Sequence, residues 1–154
     1  MRGCYKVKLS GGFLCGNIGY KISKEPLLAY TCNCSFCQKD TGTANRSALA
    51  ILNENLEISG KAFKVYTYKS VEHGRELYKS FCPDCGKTIS LKTERFSERQ
   101  VIMIGTLDDP SQITLSTHMF AEEAFEWVEF PKDHLVYAKH RINEDGTPAS
   151  PINL

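Results

Sequence analysis

No apolar run in these 154 residues approaches the roughly 20 needed to cross a bilayer, and no apolar signal segment opens the chain. The expectation is a protein of the reducing cytoplasm with no membrane partner. An excess of charge of one sign is also missing. Nineteen Lys and Arg against eighteen Asp and Glu leave a formal net charge of +1, and the basic residues are scattered rather than gathered in a stripe. A nucleic-acid or membrane-surface partner recruited by a basic patch is therefore not expected. Low-complexity segments and internal repeats are absent. Only 143–151 is dense in turn residues, so the organisation predicted is one domain over 1–142 and a flexible tail over 143–154.

Cysteine is present in quantity. Seven is an odd number, and a chain of this length can bury a core unaided, which argues against a secreted disulfide scaffold. Three thiols fall within six residues, Cys32-Asn33-Cys34-Ser35-Phe36-Cys37. One intervening residue keeps Cys32 and Cys34 too close for an ordinary disulfide, whereas a turn can aim three sulfurs at one zinc ion about 2.3 Å from each. Three ligands leave a fourth position open, as a catalytic zinc requires and a closed structural one does not.

A second group begins at Cys82-Pro83-Asp84-Cys85-Gly86. Pro sets a turn there, and Gly accepts the positive φ that lets N–H groups face the sulfurs, the pattern of a zinc knuckle. Cys15, followed by Gly16, is its obvious distant partner, which leaves Cys4 unassigned. A redox pair at Cys82/Cys85 or Cys34/Cys37 is the competing reading. It would place the first Cys at the opening of a helix after a strand, but the strand-like Lys87-Thr88-Ile89-Ser90-Leu91 follows the knuckle instead. A buried unligated thiol is the remaining alternative, and Cys4 fits it best.

Periodicity predicts strands almost throughout. Tyr5–Leu9 alternates, Ser10-Gly11-Gly12 reads as a turn, and Phe13–Ile22 returns as the second arm of a hairpin. Ala48–Leu52, Leu56–Ile58, Phe63–Tyr68, Glu76–Phe81 and Val101–Gly105 are short, β-branched or aromatic, and separated by turn residues. Short helical turns are expected near Ser35 and around Glu94–Arg99. The fold class is mainly β, an antiparallel β-sandwich or opened barrel.

Gly12-Phe13-Leu14-Cys15-Gly16, the 32–37 motif with Thr41-Gly42 after it, Phe81–Gly86, Gly105-Thr106-Leu107-Asp108-Asp109, His118 and Trp127 together resemble the glutathione-dependent formaldehyde-activating enzyme family, also called the Gfa/CENP-V domain. The resemblance implies an Mss4-like β fold with one or two zinc ions. It implies a structural zinc at Cys15, Cys82 and Cys85, and a reactive one at Cys32, Cys34 and Cys37 where S-(hydroxymethyl)glutathione is handled by carbon–sulfur lyase chemistry. Two positions depart from the pattern. Phe13 stands where the family has the first Cys of Cys-x-Cys-Gly, removing one of four structural ligands, and Asn33 stands where the family usually has His. With a turn at Ser10–Gly12, Cys4 would face Ile18, roughly 10 Å along the ladder from Cys15 and on the opposite face, a poor substitute ligand.

Three thiolates on a divalent ion carry net −1, so the site should favour holding an incoming thiol over acidifying water. Lys39 and Arg46 lie just downstream and are candidates to offset that charge or to bind the carboxylates of glutathione. His118 reads as a proton-transfer or structural group; Trp127, Phe125 and Phe130 as pocket walls or core; Asp108 and Asp109, before Pro110, as turn residues. His73, His134 and His140 have no partner that sequence identifies. The leading reading is a zinc-dependent lyase or transferase of adducts between glutathione, or a similar thiol, and a small electrophile such as formaldehyde. The alternative is a non-catalytic zinc-binding interaction module.

Overall fold

Ile18, Tyr20 and Ile22 alternate with Gly19 and Lys21, and this period of two becomes strand β2 (Ile18–Ile22), which buries the three large side chains. In the computed structural model, which describes residues 8–153, the chain is mainly β, with two sheets and no closed barrel among the described residues. The reading of Cys4 as a spare thiol lies outside the described residues. Two compact units are present, one built on residues up to Leu27 with Leu49–Gln112, the other on Leu28–Ala48 and the segment from Ile113 onward.

In the first unit, β1 (Leu9–Gly12), β2 and β5 (Leu56–Gly60) form an antiparallel three-stranded sheet. A meander runs in the order β9-β8-β7-β6, where β6 is Lys64–Lys69, β7 Glu76–Phe81, β8 Thr88–Thr93 and β9 Arg99–Met103. Ile18 and Ile22 from the first sheet and Ile89, Leu91 and Ile102 from the second are almost wholly buried, each contributing about 1.5–3 kcal/mol by leaving water.

The hairpin differs from expectation. Leu9 pairs with Ile22 and Gly12 with Gly19, so Ser10-Gly11-Gly12 is strand and the connection is 13–17. Gly11 is there because of a close approach, not a turn: a Cβ on it would overlap the carbonyl of Thr106 and the hydroxyl of Tyr20. That Tyr20 hydroxyl is 2.8 Å from Thr106 Oγ1, and burial pushes its pKa up to about 12.

The second unit contains β3 (Leu28–Cys32), helix α1 (Ser35–Thr41), the start of β4 (Arg46–Leu52), β10 (Thr117–Met119) and β11 (Leu135–Val136). β10 runs parallel to both β3 and β11, an arrangement that short segments without alternation did not announce. Its register sets His118 opposite Thr31 and Met119 opposite Cys32. Within 143–154, Ile152 donates its N–H to Val136 O, and Asn153 accepts the N–H of Val136 and donates to the carbonyl of His134.

Candidate metal centres

Three different backbone settings bring the 32–37 thiols together. Cys32 ends β3, Cys34 is the N-cap of α1 with its sulfur accepting the N–H of Cys37, and Cys37 lies in the helix's first turn. Gly42, in the left-handed conformation at φ 69°, closes the helix after two turns. The three sulfurs lie within 4.8 Å of one another, and Cys32 Sγ is 3.4 Å from Cys34 Sγ. Tetrahedral zinc with bonds near 2.3 Å sets its sulfurs about 3.8 Å apart, so the donor set fits that ion in chemistry and in spacing. No fourth His, Cys, Asp or Glu among the described residues joins the group.

The loop is held from β10 and the turn after it. Asn33, fully buried, donates both its backbone and side-chain N–H to Met119 O, at 3.1 and 2.8 Å, while its own Oδ1 is buried without a partner. Ser35 N–H reaches Glu123 Oε2 at 2.7 Å, and Gln38 Nε2 bridges the carbonyls of Asn33 and Glu123. Arg46 is 5 % exposed, with Nη1 3.2 Å from Cys37 Sγ, Nη2 paired to Asp40 and Cζ 5.5 Å from the Phe36 ring centre. Lys39, on the same helix, is exposed to solvent.

The hydrogen bonds of the cluster centre on the Cys34 sulfur. Hydrogen bonds from Cys32, Cys37 and the Cys37 N–H, with Arg46 nearby, bring Cys34 down to about 3. Cys32, donating to Cys34 and buried, is pushed up to about 12, and Cys37 is raised by its hydrogen bonds to Cys32 and then Cys34 and by burial. Zinc binds thiolates, so loading expels the thiol protons that remain and the apparent zinc affinity should rise steeply with pH. Competition against a chromophoric chelator between about pH 6 and 8, in a Cys82→Ser background, measures that slope. A slope near zero would show thiols already ionised and contradict this arrangement.

The second cluster joins two hairpins of the first unit. Cys15 sits in the β1–β2 connection, Cys82 and Cys85 in the β7–β8 turn; their sulfurs lie within 4.8 Å of one another, Cys15 and Cys82 at 3.6 Å. Each loop is turned by a glycine after its cysteine, Gly16 and Gly86, both at φ 70°. Asp84 accepts from Asn17 Nδ2 in the other loop and from Lys61 Nζ just after β5, both at 2.8 Å. Phe13 is buried with its ring 6.2 Å from that of Tyr20, and no fourth ligand among the described residues completes this set.

The other candidates separate cleanly. His118 is buried, its Nδ1 2.7 Å from Thr31 Oγ1 and its Nε2 2.8 Å from His134 Nδ1, with the His134 ring stacked on it and the Phe130 ring tilted 5.0 Å away. Burial, then the neighbouring His134, lowers its pKa. A histidine whose pKa is depressed on folding binds fewer protons folded than unfolded, so its contribution is intact above the unfolded value near 6.5 and is lost as pH falls below it. A His118→Gln variant should thus lose less stability than the parent between about pH 7 and 5 in denaturant titrations; equal losses would remove His118 from the acid response. Phe125 and Trp127 form an exposed tilted pair 5.7 Å apart, Trp127 being 71 % exposed. His73 lies on the surface 3.5 Å from Glu72, and His140 Nδ1 accepts the N–H of Ile142. Asp108 accepts from Ser10 Oγ, and Asp109 caps the turn at Ser111. Sequence reasoning missed Asp40, Gln38 and Glu123. Glu123 lies 88 residues from the N–H it binds, and no local pattern marks such a contact.

Comparison with known proteins agrees with this geometry. No curated protein matches the chain at a significant level. A crystal structure of a Rhodobacter sphaeroides protein is similar to it with a TM-score of 0.52 and 20% identity, covering 67% of this chain and 93% of that one, a likeness of fold alone. The family model of the glutathione-dependent formaldehyde-activating enzyme matches residues 8–123, a span that takes in both cysteine clusters, and the chain belongs to that family.

Proposed function

We propose that the protein is a zinc-dependent carbon–sulfur lyase or transferase of the cytoplasm, acting on adducts of glutathione or a similar thiol with a small electrophile such as formaldehyde. The observation that carries this reading is the 32–37 cluster, three thiols within reach of one ion and no fourth ligand among the described residues. Cys32, Cys34 and Cys37 would hold the metal, and Cys15, Cys82 and Cys85 a second one. When bound in the first cluster, zinc supplies a Lewis acid with a free position that accepts a thiol as its thiolate. The chain's own groups do the rest. Asn33, Gln38 and Glu123 fix the loop so that the sulfurs need not reorganise, and Lys39 offers an ammonium to a substrate carboxylate. Arg46, named beside it as a carboxylate-binding candidate, has its guanidinium turned inward to Cys37 and Asp40.

Calorimetric titration of the zinc-loaded protein with glutathione tests the reading. Binding is expected, weakened about 2- to 5-fold by Lys39→Met at low salt, with the difference shrinking as salt rises. If neither glutathione nor any other small thiol binds, the enzyme reading fails and the non-catalytic interaction module takes its place.

A further inference from the structure

We propose that Arg46 is a positioning residue of the 32–37 cluster, a guanidinium fixed in place by Asp40 and Phe36 so that Cys37 serves the metal as a charge-compensated thiolate. The inference rests on the reading of this cluster as a metal site. An arginine 5 % exposed cannot shed its proton, so its charge must be answered inside the protein. Asp40, 11 % exposed, answers it by accepting from Nη2, which would make a complete ion pair with nothing left over. Yet the fork does not stop at Asp40. Its other arm, Nη1, donates to Cys37 Sγ at 3.2 Å, and the Phe36 ring lies 5.5 Å from Cζ, limiting how the plane can tilt. Guanidinium has no acceptor, so the sulfur can only receive, and it receives best as a thiolate.

The charge count explains why the device is needed. Three thiolates on a divalent ion leave net −1, and Asp40 would place a second buried negative charge beside them. Arg46 offsets one of the two. It also withdraws electron density from one sulfur of three, which leaves the metal more able to take a further thiolate. Lysine, a point charge on a flexible stem, could satisfy Asp40 or Cys37 but could not hold both in one plane. The Nε hydrogen, buried without a partner among the described residues, is consistent with a side chain placed for the sulfur rather than for its own satisfaction.

Cobalt substitution reads this directly, with the Cys34→Ser protein giving the spectral baseline of the other cluster. Arg46→Met alone strands Asp40 and risks misfolding, so the test variant is Arg46→Met combined with Asp40→Asn, checked for native circular dichroism. Its zinc affinity at the cluster should fall about 10- to 100-fold, the range for loss of a group that orients a metal ligand. Its thiolate-to-cobalt charge-transfer band should move to lower energy, which a purely structural ion pair would not cause. Arg46→Lys should recover affinity in part and leave the band displaced. An unchanged band and affinity in the folded double variant would overturn the proposal while leaving the metal site standing. Failure of the parent protein to take up cobalt at this cluster would overturn the metal reading and this inference with it.

Discussion

Cys34→Ser should lose one equivalent of zinc and more than about 100-fold of the turnover of a glutathione adduct, while the fold persists. The magnitude follows from comparison: groups that merely orient a ligand cost 10- to 100-fold when removed, and a ligand itself must exceed that. Cys34 is the right position for the test for a structural reason. It is the N-cap of α1, and Ser is among the best N-cap residues, so the hydroxyl can take over the Cys37 N–H that the sulfur now receives. What Ser cannot replace is the thiolate. The sulfur that Cys32, Cys37 and Arg46 favour as an anion is the one whose pKa they lower, and a serine hydroxyl stays neutral under the same influence. Elemental analysis beside a steady-state assay and a circular dichroism spectrum separates the effects. Unchanged zinc content would sink the assignment of this cluster.

The convergence of the thiols was legible in the sequence wherever it was local. Cys32, Cys34 and Cys37 span six residues, and a strand end, a cap and a first helical turn are enough to converge them without help from distant chain. Cys82 and Cys85 were readable for the same reason. β7 came out with its predicted limits because alternation and flanking turn residues agree there. The β1–β2 register was misread because glycine has two uses. Ser10-Gly11-Gly12 has turn composition, but Gly11 is required by the approach of Tyr20 and Thr106, and Thr106 lies far along the chain. The partners of the thiolate loop were hidden by the same distance. Arg46 could be named as a nearby cation, yet whether it faces solvent or Cys37 depends on the path of the chain from α1 into β4, and on Asp40 meeting it at the end.

The second cluster sets the other large effect, because its metal would tie together two loops that are distant in sequence. Cys15 and Cys82 are 67 residues apart in sequence, and the polar contacts of Asp84, to Asn17 in the other loop and to Lys61 just after β5, are exposed and so contribute little. The natural host for the test is the Cys34→Ser protein, in which chelation reports on this site alone. Chelator should lower its melting temperature by about 6–12 °C, taking a contribution of about 3 kcal/mol for three protein ligands, well under the 10–16 kcal/mol of four-ligand zinc fingers, and about 2–4 °C per kcal/mol for a chain of this size. Phe13→Cys then asks whether the missing ligand explains the shortfall. Phe13 is buried against Tyr20, so its loss should make the metal-free protein less stable. A fourth thiolate should at the same time tighten the metal, so the gap between loaded and chelated melting temperatures should widen even as both baselines fall. A gap that stays constant would mean that position 13 does not face the ion. A Cys34→Ser protein that melts at the same temperature with and without chelator would mean that Cys15, Cys82 and Cys85 hold no structural metal.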